Sequence, residues 1–372
     1  MSPFPGINGT PPLSRYTSIH YRLGTSLYNT LYRVEQQRNV SSGKDNLLNC
    51  TGLRGHYETP KYPIILCHGF SGFDRLLYIP ALKFSIDLSS FRTRTEKRQR
   101  KSEVLYKNLV EKDDQELDGK TNVDADSEDA GGLQLFEYWH GIKQSLEKQG
   151  CQVLVAKVPP FANIQTRARA LDAFIQGKAT SWQRKHHSKE KVKFNLVAHS
   201  MGGMDCRYLI SKLEHNNYEV VSLTTISTPH RGTYAADFVM QRAPKELIDR
   251  HFPSIRQLTR EYSARFNDKV RDDPTVKYFS FGASANPKFL NMYYLPWSLI
   301  SVEEGPNDGM VSINSCKWGK YMGCLNGVDH KQLINWMGGI KRLKTAIGIQ
   351  DKGFNPPAFY LDIADNLAKN VL

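Results

Sequence analysis

Asn195-Leu-Val-Ala-His-Ser-Met-Gly-Gly203 is the stretch on which the reading of this chain turns. The apolar run from Phe194 to Ala198 reads as a buried strand, and Met204 to Leu213 as a helix. His199-Ser200-Met201-Gly202-Gly203 must then be a sharp strand-to-helix turn. A serine on such an elbow sits in strained backbone, with its hydroxyl projecting from the top of a sheet. Small residues must flank it, because strand and helix crowd together there. Gly202 meets that need, and Ala198 stands where the usual motif has glycine, giving A-x-S-x-G in place of G-x-S-x-G. Ser200 is the candidate nucleophile; a serine that only caps the following helix is the competing reading.

Outward from the elbow, short apolar runs alternate with helical patterns. Ile64 to Cys67 reads as a strand that opens the folded part after Pro63 and runs into His68-Gly69-Phe70-Ser71-Gly72. Phe136, Trp139, Ile142 and Leu146 recur at helical spacing up to Gly150. Val153 to Val158 reads as a strand and Ile164 to Phe174 as an amphipathic helix. Val220 to Ile226 is a strand leading to Ser227-Thr228-Pro229-His230-Arg231-Gly232. Val276 to Phe281 is another, and a neighbouring strand is expected to lead into Asn307-Asp308-Gly309. The alternation predicts an α/β fold, a mostly parallel central sheet with helices on both faces. The expected organisation is an N-terminal extension (1–58), a catalytic domain (59–345) and a C-terminal tail with a short helix (346–372).

Two stretches interrupt the pattern. Residues 85–132 are basic from Arg92 to Lys101 and acidic from Glu111 to Asp129, with too little apolar surface to offset chain entropy, so a disordered charged insertion is expected. Residues 233–272 place Phe238, Val239, Leu247, Ile248, Phe252, Ile255 and Leu258 at roughly helical spacing among Lys245, Arg250, Arg256 and Arg260. That amphipathic segment reads as a helical lid or as ordinary helix packing on the core.

The chain has 372 residues, 40% of them hydrophobic, and a formal net charge of +13. Its mean hydropathy is −0.49. No run approaches the roughly 18 apolar residues that would span a bilayer, so no transmembrane helix is expected. The excess positive charge fits an anionic lipid surface, while its dispersion and the lack of a recognition module speak against nucleic acid. Six widely spaced cysteines with no C-x-x-C pair exclude a zinc site of the usual kind. Without a secretory signal a disulfide framework is not expected, and the Asn-x-Ser/Thr sites at Asn8, Asn39 and Asn49 are chance matches. In the first 58 residues no acid precedes Glu35, and Arg15, Arg22, Arg33 and Arg38 lie among Ser, Thr, Tyr and Leu. The composition resembles a mitochondrial transit peptide, although four early prolines bar a helix at its very start. A cytosolic tail, or an enzyme at a lipid-droplet surface, is the alternative.

A serine hydroxyl needs a base to take its proton and a third group to fix that base. In α/β-hydrolases these follow in the order Ser, acid, His. His330, in Gly327-Val328-Asp329-His330 ahead of an expected helix from Leu333 to Leu343, is the last histidine and the candidate base; His230 reads as structural. Asp308 is the candidate acid, with Glu303 and Glu304 as fallbacks, and Asp329 is too close in sequence to meet the imidazole. The backbone N–H groups of Phe70 and Met201 are the candidate oxyanion donors.

Pro63-Ile-Ile-Leu-Cys-His-Gly-Phe, Tyr138-Trp-His-Gly-Ile, the Asn195–Gly203 elbow, Ser227-Thr-Pro-His-Arg-Gly-Thr, and Asn307-Asp-Gly-Met-Val with Asp329-His330 resemble, in the same order, the α/β-hydrolase triacylglycerol lipases. The likeness is to the Pseudomonas/Burkholderia-type bacterial lipases and their fungal relatives, including the mitochondrial lipase of yeasts. It covers about residues 60–340 without the insertion. It implies the α/β-hydrolase fold, Ser200 as nucleophile, Asp308 as orienting acid, His330 as base, and Phe70 and Met201 as the oxyanion hole. The bacterial relatives bind calcium through an aspartate two residues after the histidine and another well upstream of the acid. Here Gln332 stands in the first place and no aspartate lies between Asp273 and Asp308, so no metal and no cofactor are expected. The implied activity is hydrolysis of acylglycerol esters at a lipid–water interface through an acyl-enzyme. Phospholipase, acyltransferase or thioesterase action on the same triad, and a catalytically dead lipid-binding module, are the alternatives. Tyr293, Tyr294 and Trp297 are candidates to line an acyl cleft or to pack in the core.

Overall fold

Side chains alternate across a strand, so a strand covered on both faces must be apolar along its whole length. The run Ile64-Ile-Leu-Cys67 is of this kind: Ile64 and Leu66 enter one hydrophobic cluster with Trp139, Ile142, Phe359 and Tyr360. Ile65 and Cys67 enter another with Leu171, Ile175, Leu196 and Leu209. The structure, a computed structural model, describes residues 47–48, 50, 52–69, 138–242, 252–288, 291, 293–336 and 353–372. The N-terminal extension up to residue 46, Phe70, the expected 85–132 insertion and residues 243–251 of the 233–272 segment lie outside the described residues, as does the expected Leu333–Leu343 helix beyond Trp336. The described start of that helix is instead a 3-10 turn, Gln332–Ile334, ended by left-handed Asn335.

The strands are β1 (Leu47–Leu48), β2 (Ile64–Cys67), β3 (Val153–Val155), β4 (Val192–His199), β5 (Tyr218–Ile226), β6 (Lys277–Ser284) and β7 (Lys320–Asn326). They form one sheet in the order β1-β7-β6-β5-β4-β2-β3, with every neighbouring pair parallel. The helices are α1 (Ile142–Lys148), α2 (Ile164–Lys185), α3 (Gly202–Lys212), α4 (Tyr234–Arg242), α5 (Pro253–Gln257), α6 (Arg260–Lys269), α7 (Tyr294–Glu303), α8 (Ile313–Cys316) and α9 (Pro356–Lys369). The sheet order puts β4, which carries the elbow, between β2 and β5, so the turns after all three strands open at one end of the sheet.

Two longer regions differ from the sequence expectation. The segment before Asn307 is the helix α7, not a strand, and buries Pro296, Trp297 and Ile300. A short apolar run has no periodicity that separates the two states. Tyr293 and Trp297 are core residues, 4% and 7% exposed, and Tyr293 packs on Met310, Val311 and Cys316.

The helix of the C-terminal tail is fourteen residues long and is built into the core through Phe359, Tyr360, Ile363 and Leu367. Asn355 caps it by accepting from the Ala358 N–H, and prolines fill its first positions, where no N–H is needed. The chain just before β2 is fastened to it: Arg54 pairs with Asp362 and Asp365, and Asp365 accepts from the Glu58 N–H. Within 233–272, α4, α5 and α6 pack Ala236, Val239, Ile255, Leu258 and Phe266 on Met201 and Met204, directly beside the elbow. All six cysteines are free, and no described helix is long and apolar enough to cross a membrane.

Candidate active site

Ser200 follows the last residue of β4 and takes a left-handed backbone, φ 57°. Such a conformation costs a non-glycine residue about 1–2 kcal/mol, and it persists because both of its backbone polar groups are tied. The Ser200 N–H donates to the Ile226 carbonyl (2.9 Å), and the Ser200 carbonyl accepts from the Thr228 hydroxyl (2.7 Å). Crowding fixes the flanking residues. A Cβ on Gly202 would stand 2.7 Å from the Cys67 carbonyl oxygen, and one on Gly69 would stand 2.7 Å from the Ser200 Cβ. Ala198 is fully buried between these elements.

His330 lies in the turn after β7 and spans the gap between the other two residues. Its Nε2 is 2.9 Å from Ser200 Oγ and its Nδ1 is 2.7 Å from Asp308 Oδ2. With Nδ1–H donated to the carboxylate, Nε2 accepts from the serine hydroxyl. The Asp308 side chain is fully buried. Its Oδ1 accepts from the N–H groups of Met310 (2.9 Å) and Val311 (2.8 Å), and the His330 N–H donates to the Asp308 carbonyl.

Asn307 shapes this loop by donating to the carbonyls of Trp297 and Gly305 and to Ser301 Oγ, while accepting from the Gly309 N–H. Glu304, a fallback acid, instead accepts from the Tyr234 N–H and the Ser312 hydroxyl. Asp329 accepts from the N–H groups of Lys331 and Gln332, and burial raises its carboxyl above the usual carboxylate value.

Met201 caps the N-terminus of α3, where amides have no carbonyl a turn earlier and a helix dipole favours negative charge. The Tyr138 hydroxyl accepts from the Gly69 N–H (3.0 Å) and is hydrogen-bonded to His199 Nδ1 (2.7 Å). The His199 ring lies 4.5 Å from that of His330. Burial holds His199 well below the ordinary imidazole value, with His330 adding to the shift, so His199 is neutral. His68 is pushed down to about 4, by burial first and then by Arg167. His230 is buried between Thr225, Arg207 and the stacked Trp318 ring.

Thr228, Asn307 and the Tyr138–His199 pair were not singled out as site residues in the sequence. All four lie in motifs quoted for the resemblance, which was the one signal available. Among the described residues no group of three or more His, Cys, Asp or Glu is placed to hold a metal ion.

Fold and site define an α/β-hydrolase with a Ser–His–Asp hydrogen-bonded chain at the ends of its parallel strands. Residues 137–281 match the palmitoyl protein thioesterase family. The chain is 37% identical over 353 residues to triacylglycerol lipase 2 of Saccharomyces cerevisiae, covering 89% of this chain and 99% of that protein. A triacylglycerol lipase of Vibrio cholerae is 28% identical over 249 residues, covering 56% of this chain and 77% of its own length. Among solved structures, the metagenomic carboxyl esterase MGS0156 shares the fold, with a TM-score of 0.53 at 13% identity, covering 88% of this chain and 84% of that one. The chain belongs to the α/β-hydrolase triacylglycerol lipases, and it is a hydrolase.

Proposed function

We propose that this protein hydrolyses acylglycerol esters, with Ser200 as nucleophile, His330 as general base and acid, and Asp308 as the orienting acid. The observation that carries the reading is the unbroken chain from Ser200 Oγ through both nitrogens of His330 to the buried Asp308. As Ser200 Oγ attacks the ester carbonyl, its proton passes to His330 Nε2, and Asp308 stabilises the imidazolium that forms. The carbonyl oxygen becomes an oxyanion facing the Met201 N–H at the start of α3. The imidazolium returns its proton to the departing alcohol, leaving an acyl-Ser200, and water activated by the same imidazole releases the fatty acid. Losing one oxyanion donor typically costs about 3 kcal/mol of transition-state stabilisation.

The protein acts at a lipid–water interface, on a membrane or lipid-droplet surface. The +13 net charge supports this part of the reading. The Arg-rich, acid-poor start of the chain supports a mitochondrial address, and fractionation of cells expressing the tagged protein tests it.

Hydrolysis of emulsified triacylglycerol and diacylglycerol by the full chain and by Ser200→Ala, with phospholipid vesicles in parallel, tests the substrate. Fatty-acid release from acylglycerol that vanishes in the variant upholds the proposal. Turnover of phospholipid alone reassigns the substrate, and no turnover by folded protein refutes the reading.

A further inference from the structure

Arg167 on α2 and Asp205 on α3 form an ion pair whose side chains are 0% and 2% exposed. Arg167 Nε donates to Asp205 Oδ2 at 2.8 Å, and its NH2 lies 2.7 Å from the same oxygen. The rest of the guanidinium reaches backbone: NH2 donates to the His68 carbonyl at 2.8 Å, and NH1 to the carbonyls of Pro159 (3.1 Å) and Pro160 (3.4 Å). Burying two charges costs several kcal/mol per ion before pairing repays it, so apolar residues of similar volume would serve stability as well or better. What this pair adds is geometry.

Its contacts fall on both sides of the nucleophile. His68 leaves the end of β2, and its carbonyl oxygen would stand 2.8 Å from a Cβ on Gly202. Asp205 lies in the first turn of α3, where its N–H donates to the Met201 carbonyl. Gly69, next to His68, lies against the Ser200 Cβ. One planar guanidinium therefore spans the exit of β2 and the first turn of α3, the two stretches of backbone that flank Ser200 Oγ.

We infer that Arg167 and Asp205 are positioning residues that lock the β2 exit against the first turn of α3 and so hold the oxyanion-stabilising backbone in register with Ser200. The inference rests on the hydrolase reading above. Lysine cannot replace Arg167 here, because a single ammonium lacks the rigid fork of five N–H donors that reaches a carboxylate and three carbonyls together. A displacement of about 1 Å at such a site costs on the order of 100-fold in rate. Register of the oxyanion-stabilising backbone matters in the transition state more than in the bound ester, so the effect falls on kcat and not on KM.

The test compares wild type, Arg167→Lys and Asp205→Asn on a water-soluble p-nitrophenyl ester, with active serines counted by fluorophosphonate titration to its end point. An alkyl boronic acid serves as the tetrahedral analogue. Per titrated serine, kcat falls about 10- to 100-fold in Arg167→Lys and about 10-fold in Asp205→Asn. Boronic acid affinity falls by the same factor as kcat, with KM changed less than about twofold. Arg207→Lys alters a second buried arginine, on α3, which stacks on Trp318 and makes no contact with the Arg167–Asp205 pair; it lowers Tm and leaves kcat per serine intact.

An unchanged kcat per titrated serine in both pair variants, or a raised KM with kcat retained, overturns the inference. If Arg167→Lys does not fold, the nearly isosteric Asp205→Asn decides alone. A wild type with no titratable serine fails differently, because it refutes the hydrolase reading and the inference with it.

Discussion

Ser200 and Asp308 stand one imidazole apart, yet their backbones are held by different means. Around Ser200 the constraint is steric: β2, β4 and α3 approach so closely that Gly69 and Gly202 have no room for a Cβ, and the chain is forced into a left-handed turn. Around Asp308 the constraint is polar: Asn307 makes four hydrogen bonds and Glu304 two more, so side chains do the work that strands do at the elbow. A crowded elbow tolerates no added volume, whereas a hydrogen-bonded loop tolerates no lost partner.

The largest expected effect breaks the link between the two regions. Asp308→Asn keeps the shape but loses the charge and the Nδ1–H tautomer of His330, so kcat on a soluble ester falls about 10⁴-fold. An effect below tenfold would show that another acid serves His330.

Acid separates the two regions next. His68, at the β2 exit, must stay neutral in the fold, with its value lowered from 6.5 to about 4 by burial and by Arg167. The unfolded chain takes up that proton first, so stability is complete above about pH 6.5 and is lost as pH falls from there towards 4. Burial lowers His199 as well, and it adds to the same loss. Urea midpoints from pH 7.5 to 4.5 should decline for wild type and decline less for His68→Asn, the closest neutral replacement for its ring. Equal slopes would contradict this assignment.

On the loop side, Asn307→Ala strands the Gly309 N–H, and we expect about 2–3 kcal/mol of lost stability, read by urea unfolding. The smallest effect has the opposite sign. Ser200→Gly relieves the left-handed strain and should raise the unfolding free energy by about 1 kcal/mol, while Ser200→Ala does not. Both abolish turnover.

The same contrast explains what the sequence revealed. The elbow is a local event, legible in A-x-S-x-G between an apolar run and a helix, and Asp308 and His330 sat in loops whose chain order narrowed the choice. The strand alternation was equally local, and it led to the parallel sheet. What stayed hidden depends on partners far away in the chain. Thr228 gains its role by meeting the Ser200 carbonyl, Arg167 by meeting His68 and Asp205, and Tyr138 by meeting Gly69 and His199. The helix α7 was misread because its apolar run shows no period, and α9 because nothing local says which surface Phe359 and Tyr360 will cover.

The central claim is that Ser200 carries the acyl group. The most direct measurement is mass spectrometry of the full chain, acid-quenched during turnover of a slow ester, with the acyl group located by peptide mapping. The account predicts one acyl group on the peptide containing Ser200, absent from Ser200→Ala. An acyl group on another residue, or turnover retained by Ser200→Ala, would contradict it.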